Sequence, residues 1–231
     1  MNQEIKPGTI HPLSIVTDEL VSVFVDLGFE IAIGPEIATE YDNFDSLNVP
    51  KDHPARDMQD TFWIKDSPGK VLRTHISSMQ VPYMKTHKPP FKMISPGKVF
   101  RNEATDATHE MQYNYMEGLV VAEGISVAHL KGVLLEFIKK LFGDNADIRL
   151  RPSFFPFVEP GFEIDVWTGE KWIEILGAGM VHPKVLEHGG IDPKKFTGFA
   201  FGMGVDRIML LKYKIPDVRL SYQGDLRLNQ F

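Results

Sequence analysis

The sequence contains no cysteine, which excludes a disulfide framework and any thiolate-ligated metal. Its 8 histidines form no H-E-x-x-H pair, so a dedicated zinc site is not expected. No apolar run approaches membrane-spanning length, and the opening "MNQEIKPGTIHPLS" has no signal-peptide core. These absences lead to the expectation of a soluble, cytoplasmic protein. Positive charge is also short: 25 Lys and Arg stand against 31 Asp and Glu, a net charge of −6. A general nucleic-acid binder would show a broad basic face and is not expected, whereas a nucleic-acid substrate gripped mainly by a partner subunit stays compatible with this charge. There is no P-loop and no complete Rossmann glycine fingerprint. No Ser-His-Asp arrangement can be read from spacing.

What remains is a globular balance, 43% hydrophobic and 24% charged over 231 residues, with no internal repeat or long linker. One domain over 1–231 is expected, with a short N-terminal extension over 1–10. Leu13, Val16, Leu20, Phe24 and Leu27 recur at helical spacing between Pro12 and Gly28. "FEIAI" reads as a strand and "EIATEYDNFDSLNVP" as a helix broken by Pro50. "KDHPARDMQD" is loop-like. "TFWI" and "VLRTH" flank a turn as a hairpin, and "SSMQVPYMKTH" is a short helical segment. "FKMI" and "KVFRNE" bracket a turn at "SPG". "ISVAHLKGVLLEFIKKLFG" has a one-sided apolar stripe closed by Gly143. "ADIRLR", "FEIDVWT" and "KWIEILGAGMV" read as strands, and a last helix starts around Met203. Short turns between successive strands favour antiparallel pairing with helices on one face, an α+β fold.

Several groups of residues could carry chemistry. In "VFRNEATDATHEMQYNYMEG", strand alternation puts Arg101 and Glu103 on one face, and Tyr113, Tyr115 and Glu117 likewise. A guanidinium is a bidentate phosphate ligand, an aromatic ring stacks a purine, and a carboxylate holds an ammonium. An ordinary surface ladder of Arg and Glu is the better reading when this hairpin is taken alone. "FAFGMGVDR" places Gly202 and Gly204 in a glycine-rich turn before a helix carrying Arg207, which suits a second phosphate contact or simply tight packing. Glu174, beside Gly177 and Gly179, suits either a Mg²⁺ bridging phosphates or a half-exposed strand position. Phe155 and Phe157 stand two apart and could meet an aromatic ligand or belong to the core. His75, Ser77 and Gln80 offer neutral hydrogen-bonding groups or helix capping. His109 is a loop histidine, solvated or cationic beside a phosphate.

Taken together, the sequence resembles the catalytic domain of class II aminoacyl-tRNA synthetases, and within that class the bacterial phenylalanyl-tRNA synthetase α-subunit family. "LGFEIAIGPEI" resembles motif 1, "FRNE" followed by "HEMQY" resembles motif 2, and "GMGVDR" resembles motif 3. "LRTH", "TDATHE", "FPFVEPG", "GAGMVHPKV" and "GFAFG" extend the likeness over most of the chain. The resemblance implies a mostly antiparallel sheet of about six strands flanked by helices. It implies ATP-dependent formation of phenylalanyl-adenylate, followed by acyl transfer to the terminal adenosine of tRNA(Phe). By position, Arg101 is expected on the α-phosphate and Arg207 on the γ-phosphate. Glu103 and His109 are expected on the nucleotide, Tyr113 on adenine and Gly204 beside the ATP. Mg²⁺ is expected near Glu174 and Glu159. Phe155 and Phe157 would flank the substrate ring, with Ala200 and Gly202 leaving room. His75, Ser77, Gln80 and Glu117 would bind the substrate's ammonium and carboxylate. Tyr115 stands where the family has a glutamine and is expected to touch the amino acid.

Two further expectations concern assembly. The resemblance implies a β subunit in an (αβ)₂ heterotetramer, or an α homodimer through motif 1, and no membrane. It also leads to the expectation that the family's N-terminal coiled coil and any editing or anticodon-binding domain are missing here. A synthetase-like binding module, or a ligase for a non-tRNA acceptor, is the alternative reading.

Overall fold

The computed structural model describes residues 8–56, 60–167, 169–224 and 228. Most of the expected N-terminal extension, part of the loop "KDHPARDMQD" and most of the C-terminal "DLRLNQF" lie outside them. Along the chain come α1 (Pro12–Asp26), β1 (Glu30–Ile31), β2 (Ile37–Thr39), α2 (Glu40–Asn43) and β3 (Lys70–Leu72). They are followed by α3 (Gln80–Thr86), β4 (Phe91–Phe100), β5 (Gln112–Ala122) and α4 (Val127–Phe142). Then come β6 (Asp147–Phe155), β7 (Val158–Trp167), β8 (Trp172–Val181), α5 (Pro183–His188), β9 (Thr197–Gly204) and α6 (Val205–Tyr213). Among the described residues no helix is long and apolar enough to cross a membrane.

Seven strands form one sheet in the order β1-β4-β5-β9-β8-β7-β6, antiparallel except for the β1–β4 pair. β2 and β3 make a separate two-stranded ribbon. This is the α+β architecture expected, with seven strands in the main sheet.

Alternation along β9 and β5 divides the molecule. Phe199, Phe201 and Met203 face a layer that includes α1, α4 and α6, whereas Ala200 and Gly202 face the opposite side. Met116 and Val120 of β5 join the helix layer, and Tyr115, Glu117, Leu119 and Val121 point the other way. In the helix layer Phe24 of α1 stacks on Phe137 of α4 at 4.5 Å and on Phe201 at 5.0 Å. Gly118 makes this possible, because a Cβ there would lie 2.1 Å from the Phe201 ring. Helix α1 starts where His11 accepts from the Leu13 N–H and ends at Gly28, whose φ of +81° suits glycine. Helix α4 opens on a box formed by Ser126 and His129.

Several expectations are corrected. "EIATEYDNFDSLNVP" begins as strand β2, because Ile37–Thr39 pair with Lys70–Leu72, and only the four residues of α2 are helical before a 3-10 turn at Asp45–Leu47. Pairing with a distant strand overrides local helix preference there. "FEIAI" contributes only Glu30–Ile31 as strand. The expected hairpin of "TFWI" and "VLRTH" is present but short: Trp63 bridges Val71 antiparallel, with the Leu72 N–H on the Phe62 carbonyl at 2.9 Å and the Ile64 N–H on the Lys70 carbonyl at 3.0 Å. There is no turn at "SPG": β4 runs unbroken from Phe91 to Phe100. Pro96 is tolerated because β1 covers only Met93 and Ile94, leaving an open edge where no N–H is needed. The guanidinium of Arg73 fills that edge, bonding the Lys98 carbonyl at 2.7 Å and lying 2.1 Å from where a Gly97 Cβ would be. "GMG" is the end of β9 rather than a turn, and α6 starts at Val205 instead of Met203. Arg101 and Glu103 lie just beyond the end of β4 at Phe100, although the Arg101 N–H still bonds the Met111 carbonyl at 2.9 Å.

Candidate active site

On the face of the sheet away from the α1 layer lies a cavity of about 480 Å³. Its polar end is built around Glu117 in the middle of β5. One carboxylate oxygen accepts the Ile76 N–H at 2.9 Å and the other accepts the Ser77 hydroxyl at 2.6 Å. Both donors come from the 3-10 turn Ile76–Met79, which holds the carboxylate in one orientation. Burial raises the Glu117 carboxyl to about 7, opposed by hydrogen bonds from Ser77, Ile76 and Gln80. His75 moves the opposite way, down to about 3, through burial first and the Arg101 charge second, so it is neutral. Among the described residues, His75 Nδ1 and Gln80 Oε1 are buried without a partner. Two unmet polar atoms beside a buried carboxylate are costly alone and suit a ligand that brings its own donors and acceptors.

The other end is apolar. Phe155 and Phe157 lie 6.0 Å apart with ring planes 24° from parallel. Phe155 rests on Gly177, where a Cβ would come 3.1 Å from the ring. Gly177 pairs with Gly202 on β9, so the floor here is nearly bare backbone, with buried Ala200 beside it. Tyr115 crosses this floor: a Cβ on Gly202 would lie 2.9 Å from its hydroxyl and 3.0 Å from Glu117 Cγ. Burial holds the Tyr115 hydroxyl in its neutral form.

Arg101 and Glu103 line the same cavity. Arg101 Nε donates to the Thr74 carbonyl at 3.1 Å, and its guanidinium lies 3.8 Å from Glu103 and 5.5 Å from the Tyr113 ring centre. Tyr113 meets Tyr115 edge-on at 6.0 Å. Burial raises the Tyr113 hydroxyl to about 12.

The nine residues expected to bind the amino acid, His75, Ser77, Gln80, Tyr115, Glu117, Phe155, Phe157, Ala200 and Gly202, all line this one cavity. The residues expected on ATP are more dispersed. Tyr113 reaches it only through Arg101 and Tyr115. Arg207 is exposed in the first turn of α6, next to the N-cap Gly204, and donates to the Glu174 carbonyl at 2.9 Å. The neighbouring Asp206 is buried and accepts from the Asn114 N–H and the Tyr222 hydroxyl, each at 2.6 Å, which locks α6 against β5. His109 is exposed in the hairpin loop, where its Nδ1 lies 3.0 Å from Asp106.

The carboxylate of Glu174 is half-exposed and bonds Arg151 at 2.8 Å; Arg151 also holds Asp165 and Glu163. Glu159 does not join it. It sits beside His182 at 3.5 Å, at the far end of β7 from Asp165, the partner of Glu174. Strand rise puts Glu159 and Glu174 roughly 15–20 Å apart, so one ion cannot bind both. Among the described residues no group of three or more His, Cys, Asp or Glu could hold a metal. Glu174 alone still fits Mg²⁺, which binds through one or two carboxylates plus phosphates and water.

Phe44, Val49, His53, Asp60, Thr74 and Val158 also line the cavity without having been singled out in the sequence, as does Phe154, whose aromatic run reads locally as core. Thr74 stands beside His75, Phe154 beside Phe155 and Val158 beside Phe157, so these three adjoin chosen residues. Long-range bonds hold this side of the cavity together: Asn43 Nδ2 donates to Thr74 Oγ1 at 3.0 Å and Asn48 Nδ2 to the Pro156 carbonyl at 2.8 Å.

An antiparallel sheet with an arginine-marked cavity on one face and a helix layer on the other defines a class II synthetase core. The model of tRNA synthetases class II core domain (F) matches residues 1–231. A solved pyrrolysyl-tRNA synthetase from Desulfitobacterium hafniense shares the fold, with a TM-score of 0.74 over 96% of this chain and 76% of that one, at 15% identity. The phenylalanine–tRNA ligase alpha subunit of Dehalococcoides mccartyi is 53% identical over 97% of this chain and 70% of that protein. Those of Caldicellulosiruptor saccharolyticus and Geobacillus thermodenitrificans are 51% and 52% identical over 99% and 98% of this chain, covering 71% and 70% of theirs. The chain belongs to the phenylalanine–tRNA ligase alpha-subunit family of class II synthetases.

Proposed function

We propose that this chain is the catalytic subunit of a phenylalanine–tRNA ligase, with the whole of 1–231 forming one catalytic domain. The observation that carries the reading is the convergence of a buried carboxylate, two unpartnered polar atoms and a pair of phenyl rings in one cavity. An α-amino acid with an aromatic side chain matches all three. Its ammonium pairs with Glu117, its polar head meets His75 and Gln80, and its ring lies against Phe155 and Phe157.

In the first step a carboxylate oxygen of phenylalanine attacks the α-phosphorus of ATP, and the bond to pyrophosphate breaks. The nucleophile is already ionised, so no general base is required. Rate comes from in-line positioning and from neutralising charge on the phosphates. Arg101 holds the α-phosphate and Arg207 the γ-phosphate, while Glu103 and His109 contact the nucleotide and Tyr113 supports adenine beside Gly204. Mg²⁺, held by Glu174, would supply further charge neutralisation on the phosphates when bound. In the second step a ribose hydroxyl of tRNA attacks the acyl carbon, the acyl–phosphate bond breaks, AMP leaves and the hydroxyl proton passes to phosphate or water.

The relatives' designation as alpha subunits supports a β subunit as partner, in an (αβ)₂ assembly. Ile31, Ile33 and Ile37 are 50%, 73% and 47% exposed around the two-residue strand β1, which suits an interface through the motif 1 segment. The absence of a membrane-spanning helix from the described residues is compatible with a cytoplasmic location. Incubation with ATP, phenylalanine and tRNA(Phe), with the β subunit present, tests the whole reaction: phenylalanyl-tRNA is expected, and acylation only with another amino acid would overturn the reading.

A further inference from the structure

Phe154 is 81% exposed, the most exposed large apolar side chain among the described residues, yet it lines the cavity. Both facts hold only if the ring stands at the cavity's opening. The backbone explains its position. Ser153 pairs with Gly161 and Phe155 pairs with Val158, so at the register shift Phe154 alone on β6 stands against two residues of β7, Glu159 and Pro160, and is in register with neither. Such irregularities turn a side chain out of its sheet face. The flanks are fixed: the Ser153 hydroxyl bonds Glu163 at 3.1 Å, and Phe155 packs on Gly161 and Gly177. A rigidly mounted ring is thus presented to solvent beside an opening that also carries Arg101.

Resting on the activation reading above, we infer that Phe154 is the stacking platform for the unpaired terminal nucleoside of the RNA acceptor. With the amino-acid ring against Phe155 and Phe157 and the phosphate at Arg101, the reactive acyl carbon lies between them. The acceptor's ribose hydroxyl attacks that carbon from the opening, the acyl–phosphate bond breaks, and AMP departs with the proton passing to phosphate or water. The base attached to that ribose then remains outside the cavity, where Phe154 offers it a flat apolar face. Stacking of a base on an aromatic ring tolerates any base and resists solvent through area alone.

The test uses the chain assembled with its β subunit, comparing F154A and F154W with the unaltered protein. Phenylalanine-dependent ATP–pyrophosphate exchange reports activation, and single-turnover transfer from preformed adenylate to tRNA reports the second step. For F154A the ratio of transfer to exchange is expected to fall about tenfold, consistent with the loss of one base–aromatic stack, and F154W restores it. An equal fall in both rates would make Phe154 a cover for the amino acid and overturn the inference. Unchanged rates, or poorer assembly with the β subunit, would overturn it as well. Absence of exchange in the unaltered protein would instead overturn the activation reading, and this inference with it.

Discussion

Ser77 donates its hydroxyl to Glu117 across 2.6 Å, joining a 3-10 turn to strand β5 from a position 40 residues earlier in the chain. Together with the Ile76 N–H, this bond orients the carboxylate on which the amino-acid reading rests.

The first prediction concerns pH. A Glu117 carboxyl raised to about 7 is neutral below that pH and cannot pair with an ammonium. Proton and substrate then compete, so the KM for phenylalanine is flat in alkaline solution and rises as pH falls through 7, approaching about tenfold per unit. His75, already neutral down to about 3, does not add to this slope. Ser77→Ala removes a hydrogen bond to the ionised form and shifts the rise to higher pH. Exchange kinetics from pH 5.5 to 8.5 check this, and a KM constant over that range would contradict it.

Gly202→Ala is predicted to block the cavity floor. The added Cβ would stand 2.8 Å from Tyr115 Cε1 and 3.0 Å from Glu117 Cγ, forcing both away from the site. An overpacking cost of about 1–3 kcal/mol corresponds to a loss of phenylalanine affinity of about 5- to 150-fold. Titration calorimetry measures it, with ATP affinity as the internal control.

Arg73 is buried, and its guanidinium serves the carbonyls of Gly34, Pro35 and Lys98. The next residue, Thr74, accepts from Arg101, and Ile76 and Ser77 hold Glu117. Arg73→Met leaves three carbonyls without their donor and is predicted to destabilise the fold by at least about 2 kcal/mol. Urea unfolding gives the value, and a change under about 0.5 kcal/mol would sink the idea.

Arg101→Lys keeps the charge but loses the planar fork and the bond to the Thr74 carbonyl. The activation kcat is predicted to fall about 10²-fold or more, as when one preorganised donor is lost from a charged transition state. Pre-steady-state adenylate formation is the measurement, and a fall confined to KM would contradict the role.

Helix α1 and helix α4 were legible because one buried face repeats through Val16, Leu20 and Phe24, and through Leu130, Leu134, Phe137 and Leu141. The nine positions proposed for the amino acid were picked out through ordered motifs, and all line one cavity because strand alternation brings Tyr115, Glu117, Ala200 and Gly202 to one face. The straight course of β4 through Pro96 was not legible, since it depends on how far β1 extends along the edge. Nor was the outward turn of Phe154, which follows from a register break between two strands rather than from any local pattern. Glu159 was misplaced for a similar reason: its distance from Glu174 is set by strand pairing.

Phenylalanine-dependent ATP–pyrophosphate exchange, run across an amino-acid panel with and without the β subunit, tests the central claim most directly. The account predicts that phenylalanine supports exchange best, with tyrosine weaker by about 10²-fold because an apolar pocket end leaves its hydroxyl unpaired. Faster exchange with another amino acid, or none with phenylalanine while ATP still binds, would contradict it.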